Sequence, residues 1–141
     1  MFSRNAVAEM LARTPSFSKM ATGELRTISE CVERRVIEPG ATITRQGAFG
    51  DEMVLVIAGH ASIDVSDTIV GVVGPGDVIG EMALLDHGPR SATIVATTPM
   101  ELGVLSIRSF DELTRKSPAI WRVIATGLAR RLREADRTLC H

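Results

Sequence analysis

The 141-residue sequence predicts an α+β fold in which short antiparallel strands form a sandwich or barrel between two helical segments. Apolar residues recur at helical spacing in the first third of the chain and again from about residue 107 onward. Between these segments, short β-rich runs alternate with turn residues about every 8 to 12 positions. With 45% apolar residues and a net charge of −1, the composition fits one domain over residues 1–141.

Two apolar stripes, separated by Pro15, predict the N-terminal helices within residues 4–32. Residues three or four positions apart share one face of a helix, so each stripe predicts a buried face. The stripes consist of Val7, Met10 and Leu11, and of Leu25, Ile28 and Val32.

The period changes at Glu33, and we expect a β-roll over residues 33–106. Turn sequences such as Pro39-Gly40, Gly59-His60 and Ser66-Asp67 separate its strands. The pattern predicts strands over 35–38, 42–44, 53–58, 61–65, 69–73, 91–96 and 100–105.

The helical pattern returns over residues 107–139. Ser117 is a suitable N-cap for the last helix, and Pro118 occupies a first-turn position where its missing N–H costs nothing. An apolar stripe at spacings of four and three follows on this helix, formed by Trp121, Ala125, Leu128, Leu132, Ala135 and Leu139. It predicts either packing against the strands or a homodimer seam.

Charge and composition exclude several classes of protein. Sixteen Lys and Arg against 17 Asp and Glu give no strong positive field, which argues against a dedicated nucleic-acid binder. The longest uncharged run, Met53–Ile63, falls far short of a membrane span, and charges near the N-terminus argue against a signal peptide, so we expect a cytoplasmic protein. Cys31 and Cys140 are expected to be free thiols, and the three histidines lack the spacing of a metal site.

One segment, residues 76–94, combines residues suited to binding a phosphorylated sugar. Gly80 precedes a predicted helical turn, Glu81–Leu85, whose free N–H groups and partial positive charge suit an anion. Arg90 can add a planar fork for two phosphate oxygens, and Ser91 a further donor. Glu81 can accept hydrogen bonds from sugar hydroxyls. The alternative interpretation is a capped turn followed by a solvated surface arginine.

This segment resembles the phosphate-binding cassette of the cyclic nucleotide-binding domain family. The family pattern, Gly-Glu-x-Ala-Leu followed by Pro-Arg-Ser/Thr-Ala-Thr, is matched by Gly80, Glu81, Ala83, Leu84, Pro89, Arg90, Ser91, Ala92 and Thr93. The resemblance extends from about Leu11 to Arg137 and is greatest to sensor domains of prokaryotic cyclic-nucleotide-regulated potassium channels. It implies an eight-stranded antiparallel jelly-roll barrel with N-terminal helices, a cassette over residues 79–92 and C-terminal B and C helices.

The resemblance also implies roles for individual residues. Those expected at the cyclic phosphate and ribose are Gly80, Glu81, Met82, Ala83, Arg90 and Ser91, with Glu81 on the ribose 2′-hydroxyl. Those expected at the base are Val65, Val78, Ile79 and Arg131, the last on the closing helix. Ser91, where relatives that prefer cyclic GMP often carry Thr, favours cyclic AMP, with cyclic GMP as the alternative. Ile79 departs from the aromatic residue that many members carry there.

The expected function is therefore a regulatory binding domain without catalysis or cofactor, whose last helix moves to cover the ligand. An enzyme acting on a phosphorylated sugar is the first alternative, but the sequence offers no metal set, poised base or nucleophile for it. A β-barrel interaction module that binds no ligand is the second. The downstream effector, and whether the chain is a stand-alone sensor or a regulatory domain excised from a larger channel, transcription factor or enzyme, are left open.

Overall fold

The computed structural model describes residues 3–14, 17–81 and 87–139, without the side chains of residues 131 and 137–139. Four helices and eight strands are present in this part of the chain. The helices are α1 (Arg4–Ala12), α2 (Thr22–Cys31), α3 (Ile107–Lys116) and α4 (Pro118–Leu139). The strands are β1 (Glu33–Ile37), β2 (Thr42–Thr44), β3 (Glu52–Ala58), β4 (Ala61–Val65), β5 (Thr68–Val73), β6 (Val78–Ile79), β7 (Thr93–Ala96) and β8 (Met100–Ser106).

The strands form two four-stranded antiparallel sheets, with the order β1-β8-β3-β6 in the first sheet and β2-β7-β4-β5 in the second. The predicted α+β class and the eight antiparallel strands are confirmed. The two sheets do not close into one barrel, because among the described residues no strand ladder joins one sheet to the other. The edge strands β1, β6, β2 and β5 each pair on one side only within that part of the chain. The protein is therefore a jelly-roll-like pair of facing sheets.

Strand β3 explains how the first sheet comes to be covered on both faces. Its residues 53–56 are all buried, and they alternate between two apolar clusters as the pleat requires. Met53 and Leu55 pack against the helices, whereas Val54 and Val56 pack against the second sheet. The helices therefore cover the outer face of the first sheet, and the second sheet covers its inner face.

The two N-terminal helices are joined by a cap as well as by packing. The guanidinium of Arg4 on α1 donates to the backbone carbonyls of Ser29 and Val32 at the end of α2. These carbonyls belong to the orphan acceptors that every helix leaves at its C-terminus. Leu11 and Ile28, each from one of the predicted stripes, are fully buried beneath.

The buried face of α4 differs from the stripe that the sequence suggested. Ile120 and Ile124 are buried in the helical cluster, with Val123 and Leu128 packed against them. Trp121 and Leu132 are 42% and 68% exposed, and Ala125 and Ala135 are also exposed. Packing against the strands was therefore the wrong interpretation for these four residues of the stripe. Leu128 is packed as expected, and the side chain of Leu139 lies outside the described residues. Trp121 still contacts Phe110 of α3 edge to face, with ring centroids 5.9 Å apart.

Strand β6 is the one strand that the hydrophobic pattern did not predict, since it contains two residues, Val78 and Ile79. It pairs with Val54 and Leu55 at the edge of the first sheet. Within the described residues, no helix is both long enough and apolar enough to cross a membrane.

Candidate functional site

The cassette connects the two sheets, because β6 belongs to the first sheet and β7 to the second. Gly80 follows β6 directly with a φ of +78°, a left-handed conformation that glycine adopts without steric cost. The described chain resumes at His87 and reaches β7 through Pro89, Arg90 and Ser91. Both ends of the cassette therefore lie at the mouth of the space between the sheets.

The loop between β2 and β3 holds the second end of the cassette by a short antiparallel pairing. The N–H of Gly47 donates to the carbonyl of Arg90 at 2.9 Å, and the N–H of Arg90 donates to the carbonyl of Ala48 at 2.8 Å. Phe49 and Pro89 form an isolated bridge beside them. The backbone of Arg90 is therefore fixed by residues about 40 positions earlier in the chain.

Two side-chain hydrogen bonds extend this pairing towards β7. The hydroxyl of Thr44, a buried residue of β2, donates to the carbonyl of Ala92 at 3.0 Å. The hydroxyl of Thr93 accepts from the N–H of Gln46 at 2.9 Å. Buried backbone carbonyls need such partners, so Thr44 stabilises the turn that presents Ser91.

The side chain of Arg90 runs between two glycines towards the cavity. A Cβ on Gly50 would lie 2.8 Å from Nη2 and closer still to Nε, and a Cβ on Gly80 would lie 2.7 Å from Cζ. Nη2 donates to the backbone carbonyl of Glu52 at 2.6 Å. Nη1 is buried and has no hydrogen-bond partner among the described residues. The guanidinium is thus anchored through one nitrogen and has an unused donor at the other.

The pKa of Arg90 also indicates that its guanidinium is incompletely compensated. Burial lowers the pKa of Arg90, while the negative charges of Glu52 and Asp51 act in the opposite direction. The carboxylate of Glu52 is already bound by Arg35, through contacts of 2.8 and 3.3 Å, and this hydrogen bond raises the pKa of Arg35. A half-buried cation with a buried, unused donor would gain from a ligand that carries negative charge.

A cavity of about 380 Å³ opens beside the guanidinium, in the size range of small-molecule sites. Gly80, Glu81, Arg90 and Ser91 line the part that we call the polar end; they lie close together because the guanidinium of Arg90 lies against Gly80 and the other two are their neighbours in sequence. The other lining residues are mostly apolar and come from both sheets: Thr44, Ile63, Val73, Val78, Ile79, Gly88, Pro89, Ala92 and Ile94. The cavity can hold a molecule with an anionic, hydroxylated end and a flat apolar end.

The structure brings most of the predicted site residues to this one cavity. Gly80, Glu81, Arg90 and Ser91 line its polar end, and Val78 and Ile79 line its wall. Val65 is not among the described lining residues, although its neighbour Asp64 pairs with Thr93 directly after the cassette. Met82 and Ala83, with most of the predicted turn Glu81–Leu85, fall outside the described residues, as does the side chain of Arg131.

Sequence reasoning missed four residues that shape the site. Ile63 lines the cavity two positions before Val65, and its partner across the ladder, Ile94, lines it as well. Strand alternation would have placed both on an inner face, but nothing in the sequence says which part of that face borders a cavity. Thr44 and Gly50 contact Ala92 and Arg90 of the cassette from a distant segment of the chain, and no local sequence pattern identifies them.

The described residues contain no group of three or more His, Cys, Asp or Glu side chains arranged to hold a metal ion. Cys31 has a free, half-buried thiol beside the helical cluster. The arrangement at the cavity is suited to binding.

Fold and cavity together define a β-roll domain with a cavity of small-molecule size between its sheets. Residues 34–117 match the family model of the cyclic nucleotide-binding domain, and the chain belongs to that family. The domain family is regulatory and not itself enzymatic.

Named relatives fit this assignment. The chain is 36% identical over 124 residues to a cyclic nucleotide-gated potassium channel of Rhizobium etli, covering 87% of this chain and 35% of the channel. It is 35% identical over 131 residues to the cyclic AMP receptor protein of Thermus thermophilus, covering 89% and 61%. The regulatory domain of a Toxoplasma gondii kinase solved with cyclic AMP superposes with a TM-score of 0.72 and 26% identity, over 78% of this chain and 44% of that one. The chain thus spans about a third of the first of these curated relatives and three fifths of the second.

Proposed function

We propose that this domain is a cyclic AMP sensor, in which the cavity binds the nucleotide and the C-terminal helices transmit its presence. The observation that carries the proposal is the buried Nη1 of Arg90, which has no partner in the described chain and belongs to a residue that lines the cavity. A buried unsatisfied donor is costly unless the functional state supplies its acceptor. The cyclic phosphate is that acceptor.

The phosphate is proposed to lie at the polar end of the cavity. Arg90 binds it through the free Nη1, and Ser91 adds its hydroxyl or backbone N–H. Gly80 lacks a side chain and lets the anion approach the backbone. By resemblance, the backbone N–H groups of Met82 and Ala83 complete this set.

Glu81 is proposed to bind the ribose. It lines the same end of the cavity as Arg90, directly after Gly80. A carboxylate accepts hydrogen bonds only, so it suits the 2′-hydroxyl and is kept from the phosphate by like charge. Glu81 and Arg90 thereby fix the orientation of the sugar and phosphate together.

The purine is proposed to pack on the apolar wall formed by Val78 and Ile79 of the first sheet and Ile63 and Ile94 of the second. Support for cyclic AMP over cyclic GMP comes from Ser91, which stands at a position where relatives that prefer cyclic GMP often carry threonine. The names of relatives, among them the cyclic AMP receptor protein, agree with this preference.

Signal output is proposed to pass through α4 as a lid over the base, with Arg131 on the purine face. The start of α3 is tied to the site, since the N–H of Ile107 donates to the carbonyl of Asp51 at 2.8 Å, one residue from the Glu52 carbonyl that holds Arg90. The exposed residues Trp121 and Leu132 leave a face of α4 available for a homodimer. A cytoplasmic location fits the free thiol of Cys31.

Calorimetric titration of nucleotide-free protein with cyclic AMP, cyclic GMP and 5′-AMP tests the proposal. About 22 non-hydrogen atoms at about 0.3 kcal/mol each correspond to a Kd of tens of micromolar or tighter for cyclic AMP. At a hundredfold excess over Kd, the ligand adds about 2.7 kcal/mol, or roughly 5 to 10 °C in the melting temperature. Binding of cyclic AMP ahead of the other two supports the proposal, and a folded protein that binds none of the three contradicts it.

A further inference from the structure

Gly50 lies outside the cassette, 40 positions before Arg90, yet it is the residue against which the arginine side chain passes. The three atoms nearest to a Cβ built at Gly50 are Nε, Cζ and Nη2 of Arg90. All three are nearer than ordinary van der Waals contact allows, Nη2 at 2.8 Å being the farthest. A side chain at position 50 and the observed guanidinium cannot occupy the structure together.

The backbone itself does not call for glycine at this position. Gly47 and Gly80 have φ values of +84° and +78°, which restrict them to glycine, whereas Gly50 is outside the positive-φ region. Alanine can adopt the conformation of Gly50 without backbone strain. Glycine is therefore needed at position 50 because a side chain there would collide with Arg90, to which the three nearest atoms all belong.

The loop around Gly50 is fixed on both sides, so it cannot simply move aside. Before Gly50, the carbonyl of Ala48 accepts from the N–H of Arg90 at 2.8 Å. After it, the carbonyl of Asp51 accepts from the N–H of Ile107 at 2.8 Å. Since the loop is held and the arginine side chain is flexible, an added methyl group would displace the guanidinium.

We propose that Gly50 is a positioning residue for the ligand-binding guanidinium: it leaves the passage through which Arg90 reaches both the Glu52 carbonyl and the cavity. This inference rests on the proposed function, because it assigns Gly50 to the site that binds the cyclic phosphate. Gly50→Ala changes the anion site while leaving the fold intact, and so separates affinity from stability.

The first test compares Gly50→Ala with Gly23→Ala by calorimetric titration with cyclic AMP. Gly23 lies on α2 with no atom within 4 Å of an added Cβ, so it is a matched control. We expect the Kd of Gly50→Ala to rise at least tenfold, with a melting temperature within a few degrees of wild type, and that of Gly23→Ala to stay within twofold. A Kd of Gly50→Ala within twofold of wild type overturns the proposal.

The second test needs no ligand and keeps the inference separate from the proposed function. It measures urea midpoints for wild type, Gly50→Ala, Arg90→Ala and the double variant. Without the arginine, Gly50→Ala should raise the midpoint, because alanine restricts the unfolded chain and the passage is open. With the arginine present, that gain should vanish or reverse. Equal shifts in both backgrounds overturn the Gly50–Arg90 relation, whereas unequal shifts in a protein that binds no cyclic nucleotide overturn only the proposed function.

Discussion

The guanidinium of Arg90 occupies the space that a side chain at Gly80 would take, at the polar end of the cavity. A Cβ on Gly80 would lie 2.7 Å from Cζ of Arg90 and 3.1 Å from the carbonyl of Glu52, and nearer still to Nη1. The donor that has no partner in the described chain is therefore the one that lies against the glycine of the cassette. The geometry explains why a glycine precedes the acidic residue in this motif: the guanidinium and the ligand anion both need the room.

Gly80→Ala should therefore damage binding in addition to stability. The φ of +78° makes alanine cost about 1 to 2 kcal/mol, and its methyl group collides with Arg90. Gly76→Ala is the matched control, because Gly76 has a φ of +92° and open space around an added Cβ. Urea unfolding should show a loss of stability for both variants, larger for Gly80→Ala because of the collision, while cyclic AMP titration should show lost affinity for Gly80→Ala only. Equal affinities would contradict the shared-space account.

Arg35→Ala should weaken the fold slightly and leave binding unchanged. The Arg35–Glu52 pair is partly exposed, so its removal should lower the free energy of unfolding by no more than about 1 kcal/mol. Arg90 bonds to the backbone carbonyl of Glu52, which the substitution leaves in place. The control is Arg34→Ala on the same strand, which removes the 3.3 Å pair with Glu101. A tenfold loss of cyclic AMP affinity in Arg35→Ala alone would mean that the carboxylate of Glu52 also orients Arg90.

Thr44→Val should destabilise the turn that presents Ser91. Valine fills the same volume but leaves the carbonyl of Ala92 without its 3.0 Å donor, at a cost of about 1 to 3 kcal/mol. Thr44→Ser keeps the hydroxyl and serves as the control. Chemical unfolding followed by circular dichroism measures both variants. Equal stability of Thr44→Val and wild type would show that the Ala92 carbonyl finds another partner.

How far the sequence predicts this molecule depends on how local each signal is. The change of period at Glu33 coincides with the start of β1, and the Ser117-Pro118 start signal with the start of α4, because each depends on a few adjacent residues. Likewise, the motif residues Gly80, Glu81, Arg90 and Ser91 line one cavity in the structure.

Features set by distant contacts could not be read in this way. Apolar residues occur on two neighbouring stripes of α4, and only packing decides that Ile120 is buried while Trp121 is exposed. Strand β6 is too short to carry a periodic pattern, and the open arrangement of the sheets depends on which edge strands pair. The roles of Gly50 and Thr44 arise from contacts with the cassette about 40 to 48 positions later.

Ser91→Thr should shift the preference between nucleotides. Ser91 lines the polar end of the cavity and is exposed, so an added methyl group has room. Threonine carries the same hydroxyl as serine, but its β-branch restricts χ1 and so can hold that hydroxyl towards guanine. The hydrogen bond made in this way is worth about 0.5 to 1.5 kcal/mol, which predicts a roughly two- to tenfold gain in affinity for cyclic GMP relative to cyclic AMP. Ser91→Ala, which removes the hydroxyl, should weaken both ligands alike. Competition titrations with the two nucleotides measure the ratio, and an unchanged ratio in Ser91→Thr would remove Ser91 from base selection.

The most direct test of the central claim is calorimetric titration of wild type, Arg90→Ala and Arg26→Ala with cyclic AMP. Arg26 is an exposed arginine on α2, and its removal controls for the change in net charge. Loss of a buried charge partner costs about 2 to 5 kcal/mol, so Arg90→Ala should bind at least about thirtyfold more weakly, with Arg26→Ala unchanged. If folded Arg90→Ala binds cyclic AMP as tightly as wild type, the guanidinium beside Gly50 and Gly80 does not hold the phosphate.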